Sequence, residues 1–152
     1  MTTQYDIAIV GAGLVGQAIA AALSCSTKTS LRIALIDPAD LSEPAISAAV
    51  SDYDLRVSAL TAQSQAFLSR IGAWDKIPTQ VLSPYQRMHV WDAEGTGSVT
   101  FDAADLHVPA LGHIVENRQT LWALNRVTEA CDNIDRIHTV VSSFDNPNDA
   151  GY

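Results

Sequence analysis

Tyr5-Asp-Ile-Ala-Ile-Val-Gly11-Ala-Gly13-Leu-Val-Gly16-Gln-Ala-Ile-Ala-Ala-Ala-Leu23 is the stretch on which the reading of this chain turns. The apolar run Ile7 to Val10 stops at Gly11; it is too short for a helix and suits a parallel strand covered on both faces. Leu14, Val15, Ala18, Ile19, Ala22 and Leu23 then recur at helical spacing, which predicts a helix laying one apolar stripe against a sheet. Between strand and helix the glycines fall as Gly-x-Gly-x-x-Gly. In such a turn Gly11 permits the tight reversal, Gly13 lets a pyrophosphate approach the backbone, and Gly16 permits close helix packing. The helix N-terminus offers free N–H groups and a partial positive charge to the phosphates.

A polar stretch, Ser24 to Ser30, leads into a second short strand over Leu31–Ile36. It ends at Asp37, 21 positions beyond Gly16, where an acid accepts hydrogen bonds from a ribose. Strand, helix and strand in one sheet imply a right-handed parallel crossover. The motif points to a dinucleotide but does not choose FAD over NAD, since both present a ribose and a pyrophosphate. An NAD(P)-dependent oxidoreductase and a non-catalytic nucleotide-binding fragment therefore stay open on this motif alone. The plain structural alternative is a glycine turn used only for packing, with Asp37 an ordinary strand-end acid.

Pro38 to Asp54, with two prolines and four acids, reads as a surface excursion. A helix is expected next, capped by Thr61, with Ala62, Ala66, Phe67 and Ile71 as its stripe and Gly72 in the left-handed position past its end. Gln86–Trp91 and Ser98–Phe101 predict a hairpin around Ala93–Gly97. His113–Glu116 reads as a short extended piece, followed by a helix from about Arg118 to Ala130 with Asn117 as N-cap and Leu121, Leu124 and Val127 on one side. Ile137–Val141 is expected to be one more strand, and Ser142–Tyr152 is polar.

Composition narrows the function. The 152 residues, 47% hydrophobic and 17% charged, suffice for one compact core, and a formal charge of −8 repels nucleic acid. Cys25 and Cys131, far apart and without a second pair, give neither a disulfide framework nor a Cys-rich zinc site and fit a reduced cytoplasmic setting. His89, His107, His113 and His138 lack the spacing of helical metal ligands, so no metal is expected. Ile7 to Cys25 is 19 residues without a charge. However, no Lys or Arg precedes it, which argues against a signal peptide, and its three glycines fit a turn better than a lipid-facing helix.

Three further stretches are more specific than the glycine turn: Asp54-Leu-Arg56-Val-Ser-Ala-Leu60, Leu68 through Ile71-Gly72-Ala-Trp74-Asp75, and Gly112-His-Ile-Val-Glu-Asn117-Arg118. With Pro84-Tyr85 and Met88-His-Val-Trp91-Asp92 between them, they resemble the FAD-dependent hydroxylases of ubiquinone biosynthesis, of the para-hydroxybenzoate hydroxylase-like class. The resemblance runs from about Tyr5 to Val141. It implies an α/β fold: a Rossmann-type FAD-binding unit with a parallel sheet, plus part of a second, β-rich substrate-side region, incomplete. A partial FAD-binding domain would occupy residues 1–143, with flavin-contacting segments around 54–60 and 112–121, and residues 144–152 would be a polar tail departing from the family pattern.

By the same resemblance the cofactor is FAD, held by Gly11, Gly13, Gly16 and Asp37, with Arg56 and Arg118 contacting the flavin nucleotide. The co-substrates would be NAD(P)H and O2, the substrate a hydrophobic aromatic ring such as a polyprenyl phenol or benzoquinol, and the setting a ubiquinone-biosynthesis complex at the inner-membrane surface. The family's later Asp-Gly and Gly-Asp motifs do not occur here, so the expectation is a truncated N-terminal part that hydroxylates nothing alone. Read without the resemblance, Arg56 is a loop cation balancing Asp52 and Asp54, and Arg118 a first-turn residue pairing with Glu116 or solvent. Tyr85 and Trp91 offer an aromatic lining, although Met88, Val90 and Trp91 read preferentially as strand core. No residue stands out as a catalytic acid or base. Ser58, His113 and Asp37 lack the Gly-x-Ser-x-Gly elbow of a hydrolase.

Overall fold

A computed structural model of the chain describes residues 4–25, 31–44, 46 and 53–144. Residues 26–30 of the polar turn, part of the excursion over 38–54, and the Asn146–Tyr152 ending lie outside the described residues. In chain order the elements are β1 (Ile7–Val10), α1 (Leu14–Ser24), β2 (Ile33–Ile36), β3 (Val57–Thr61), α2 (Ala62–Arg70), β4 (Ser83–Tyr85), β5 (Arg87–Trp91), β6 (Ser98–Asp102), β7 (Gly112–Glu116), α3 (Asn117–Thr128) and β8 (Ile134–Ile137). The chain divides into two compact units, Met1–Leu41 with Thr128–Tyr152, and Ser42–Val127.

In the first unit β1, β2 and β8 form a parallel sheet in the order β1-β2-β8, with Ile7 opposite Ile33 and Ile33 opposite Ile134. The strand covered on both faces is β2, whose Ile33, Ala34 and Leu35 are all buried. β1, expected in that role, has a single strand neighbour among the described residues and leaves Ala8 and Val10 exposed. β8 lies upstream of the expected Ile137–Val141. Asp135 and Arg136 break its apolar run and hide it, and the parallel ladder to β2 stops where β2 stops, at Ile36 opposite Ile137.

The buried face of α1 also differs from the expected stripe: Gln17, Ala20 and Ala21 are buried, while Val15 and Ile19 are exposed. Close packing at Gly16 leaves room on the inward face for small side chains and for the hydrogen-bonded Gln17 rather than for Val15 or Ile19, and Ala20 joins Ala12, Ile33 and Leu35 in the core. Hydrophobicity alone ranks Val and Ile above Ala and misassigns the face.

In the second unit β3, β7 and β4 form an antiparallel sheet with β7 central, pairing Val57 with Glu116 and Ser83 with Ile114. Ile77, Val115 and Ala123 form its core, flanked by Leu60, Trp74, Val81 and Leu82. Neither β3 nor β4 is evident in the sequence. β4 carries Pro84, which has no N–H for a ladder and is tolerated because, among the described residues, β4 pairs with β7 alone.

α2 is capped as expected. The Thr61 hydroxyl accepts from the Ser64 N–H at 3.2 Å, and Gly72 has φ +75°. The Gly72 N–H donates to the Ser69 carbonyl and the Ala73 N–H to that of Leu68, the paired closure of a left-handed helix end. That closure buries Leu68, Ile71 and Ala73, whereas Ala62 and Ala66, expected in the stripe, are exposed. Asn117, expected as a cap, is the first residue of α3, and its Oδ1 accepts from the Ser58 hydroxyl at 2.6 Å.

The hairpin forms as expected, with Arg87 opposite Asp102 and Trp91 opposite Ser98. Its residues are not core. Trp91 is 67% exposed, and Met88, Val90, Val99 and Phe101, which share one face, are all exposed. A two-stranded ribbon buries little by itself, so alternation without a covering layer does not make a core. Removing the helix cap with Thr61→Ala is expected to cost about 1 kcal/mol, read as a lower midpoint in urea unfolding with the slope unchanged.

Candidate functional site

The three glycines between β1 and α1 have three different physical reasons. Gly11 has φ +100°, a conformation that side chains rarely adopt. At Gly16 an added Cβ would collide with the Gly11 carbonyl oxygen and press on the Ile9 side chain at 3.3 Å. Gly13 is different. Its φ of −73° and ψ of −171° are open to any residue, and a Cβ there would meet no atom within 4 Å. Neither backbone nor packing calls for glycine at Gly13, and the space beside it is open.

Gly13 is also the N-cap of α1, with no side chain capping it and no acid in the first turn. No acid of the helix's own first turn therefore offsets its partial positive charge, and the leading N–H groups of the helix meet no capping side chain. This combination fits an anionic group approaching the backbone at Gly13.

Asp37 closes β2 beside that turn. Its Oδ1 accepts from the Ala39 N–H at 2.8 Å and its Oδ2 from the Ala12 N–H at 2.7 Å. These two bonds, Ala39 first, hold its carboxyl below the usual carboxylate range against the opposing effect of burial, with help from the positive charge of Arg136 and His138. The group stays ionised, and each oxygen keeps a lone pair for a hydroxyl donor such as a ribose. The Gly11 N–H donates to the Ile36 carbonyl at 2.8 Å, so the turn is tied to β2 by backbone as well.

Gln17 is the residue that the sequence reading missed. It is completely buried, its Nε2 donating to the Ala12 carbonyl at 3.2 Å and its Oε1 accepting from the Thr128 hydroxyl at 2.8 Å. A glutamine outside the apolar stripe reads as solvent-facing. The available signal was its place next to Gly16, on the side of the helix that packs closely.

Arg56 and Arg118 belong to the second unit, where one buried carboxylate organises both. Glu116 Oε2 accepts from the Asp54 N–H at 2.8 Å and from Arg118 Nε at 2.7 Å. Asp54 Oδ1 in turn accepts from the Arg56 N–H at 2.9 Å, and the Asn117 N–H donates to the Arg56 carbonyl at 2.9 Å. The ion pair of Arg118 with Glu116 is the pairing that a reading without the resemblance offers for this residue. Asp52, offered as a neighbour of Arg56, lies outside the described residues. Thus Gly11, Gly13, Gly16 and Asp37 are assembled in the first unit and Arg56 and Arg118 in the second. Among the described residues no group of three or more His, Cys, Asp or Glu is placed to hold a metal ion.

Comparison with known proteins adds to this geometry. No family model matches the chain. It is 41% identical over 126 residues to the 3-demethoxyubiquinol 3-hydroxylase of Escherichia coli, covering 80% of this chain and 30% of that protein. It is 37% identical over 125 residues to the mitochondrial ubiquinone biosynthesis monooxygenase COQ6 of Xenopus tropicalis, covering 82% and 26%. This chain is a homologue of the ubiquinone-biosynthesis hydroxylases. It spans roughly 30% or less of the length of these two relatives. Among solved structures, the p-nitrophenol 4-monooxygenase PnpA of Pseudomonas putida superposes with a TM-score of 0.64 at 17% identity, over 98% of this chain and 35% of that one. The flavin-dependent monooxygenase PieE, solved with FAD and substrate, superposes with a TM-score of 0.58 at 12% identity, over 89% and 24%. This chain therefore shares its fold with part of each of these two monooxygenases.

The depressed acidity of Asp37 carries a pH dependence. A carboxyl with a lower pKa in the folded chain contributes stability that is present above an ordinary value of about 3.9 and lost as pH falls through the folded value. Asp37→Asn is expected to remove that contribution. Acid unfolding of the variant should begin at higher pH than in the unaltered chain, with the difference vanishing at the lowest pH.

Proposed function

We propose that this homologue is the N-terminal FAD-binding portion of a flavin-dependent monooxygenase that hydroxylates a polyprenyl phenol or benzoquinol in ubiquinone biosynthesis. The observation that carries the reading is Gly13, a glycine without a structural reason, at an uncapped helix N-terminus with open space beside it. The identity to the hydroxylases supports the same reading.

In this reading residues 1–143 are a partial FAD-binding domain. The Gly11-Ala-Gly13-Leu-Val-Gly16 turn and the N-terminus of α1 bind the pyrophosphate, and Asp37 accepts from the adenosine ribose. Arg56 and Arg118 engage the flavin nucleotide, with Glu116 holding Arg118 by one nitrogen. The flavin, when bound, supplies the redox and oxygen chemistry, using NAD(P)H and O2 as co-substrates. The remaining walls of the site, which exclude water from the reacting ring, belong to the portion of the relatives that this chain does not match, and the chain is inactive alone.

Among the described residues no helix is long and apolar enough to cross a membrane. The greasy substrate points to a peripheral protein on the cytoplasmic side of the inner membrane, within a ubiquinone-biosynthesis assembly.

Titration of the purified chain with FAD and, separately, NAD, followed by flavin fluorescence and calorimetric heat, tests the proposal. FAD is expected to bind saturably, to be lost in Gly13→Val, and to weaken about tenfold in Arg118→Ala, the scale of one charge-assisted hydrogen bond. Saturable NAD binding without FAD binding would favour an NAD(P)-dependent oxidoreductase, and a folded chain that binds neither would sink the proposal.

A further inference from the structure

We infer that Gln17 is a positioning residue that aims the Gly13 N–H at the anionic ligand, by fixing the orientation of the peptide between Ala12 and Gly13. The inference rests on the dinucleotide reading above and names a device inside that site.

The argument begins with the peptide unit. A trans peptide is planar, and its C=O and N–H point in opposite directions. The Ala12 carbonyl and the Gly13 N–H belong to one such unit, and the carbonyl is drawn to Gln17 Nε2 at 3.2 Å, inside the protein. The Gly13 N–H is thereby turned away from Gln17, and Gly13 itself is exposed, with open space where a Cβ would stand. The preceding peptide is fixed as well, because the Ala12 N–H donates to Asp37 Oδ2.

A carboxamide can face either way, so something must select which end meets the carbonyl. The Ala12 carbonyl, which can only accept, makes that selection, and the Thr128 hydroxyl holds the other end of the amide by donating to Gln17 Oε1 at 2.8 Å. In the flipped arrangement two acceptors, Gln17 Oε1 and the Ala12 carbonyl, would face each other without a proton between them. Position 17 is fully buried, where an apolar side chain would avoid the cost of desolvating an amide. The polar choice is explained by the work that each end of the amide does. The chain Thr128 to Gln17 to Ala12 thus ends at the glycine of this turn that neither packing nor a positive φ explains.

The test uses the whole 152-residue chain and FAD as the probe. Affinity and melting temperature are measured for Gln17→Leu, Thr128→Val and Thr128→Ser, and the Gly13 amide resonance is followed by NMR before FAD is added. Expected are about a tenfold loss of FAD affinity in Gln17→Leu and a smaller loss in Thr128→Val, the scale of one hydrogen bond. Thr128→Ser, which keeps the hydroxyl, should restore both the affinity and the Gly13 resonance. If Gln17→Leu fails to fold, the two Thr128 variants decide. FAD binding in the unaltered chain that neither Thr128→Val nor Gln17→Leu weakens overturns the role of Gln17 alone, as does a Gly13 resonance that stays put in the variants. A folded, unaltered chain that binds no FAD overturns the dinucleotide reading and this inference with it.

Discussion

Where a side chain of Gly16 would stand, the carbonyl oxygen of Gly11 already lies, and the arrangement of the first unit follows from that contact. It brings α1 close enough to β1 that only small or specially bonded side chains fit on the inward face, which is why Ala20, Ala21 and Gln17 are buried there. It also sets the helix N-terminus directly after the turn, with Gly11 tied to Ile36 and Ala12 to Asp37 at the end of β2. A single methyl group at Gly16 would force these elements apart, and the geometry around Gly13 depends on their staying in place.

The charge balance gives the same turn a second task. A chain with a formal charge of −8 repels an anionic cofactor at long range, but screening confines that repulsion to about 8 Å at physiological salt. Binding is then decided by what lies within hydrogen-bond reach. The uncapped end of α1 presents N–H groups there, and the carboxylate tied to the turn among the described residues, Asp37, is already committed to the Ala12 and Ala39 amides. That commitment keeps Asp37 ionised without leaving its charge unpaired beside the proposed pyrophosphate position.

In the second unit a buried carboxylate has the corresponding place. Glu116 ends the central strand of the antiparallel sheet, and with a single oxygen it holds both the Asp54 backbone and the Arg118 side chain. The segment carrying Arg56 and the helix start carrying Arg118 are thereby fixed by the same residue. A buried ion of this kind contributes little net stability, but removing one partner leaves the other charge uncompensated, so it acts mainly to specify geometry.

By itself the sequence determined what depends on neighbours in the chain: the strand, glycine turn and helix of residues 7–24, the Thr61 cap, the left-handed Gly72, the hairpin and the kinship with the hydroxylases. Each rests on local sterics, short-range hydrogen bonds or the order of motifs, and each is visible without knowing what packs against it. The tertiary structure alone decided which faces are buried. It placed Gln17 inward and Val15 outward because close helix packing outweighs hydrophobicity at Gly16, left Trp91 exposed because nothing among the described residues covers the ribbon, and set β8 by its ladder to β2. It also separated the reasons for the three glycines, since whether a missing side chain serves the backbone, a packed neighbour or open space depends on atoms brought there by the fold.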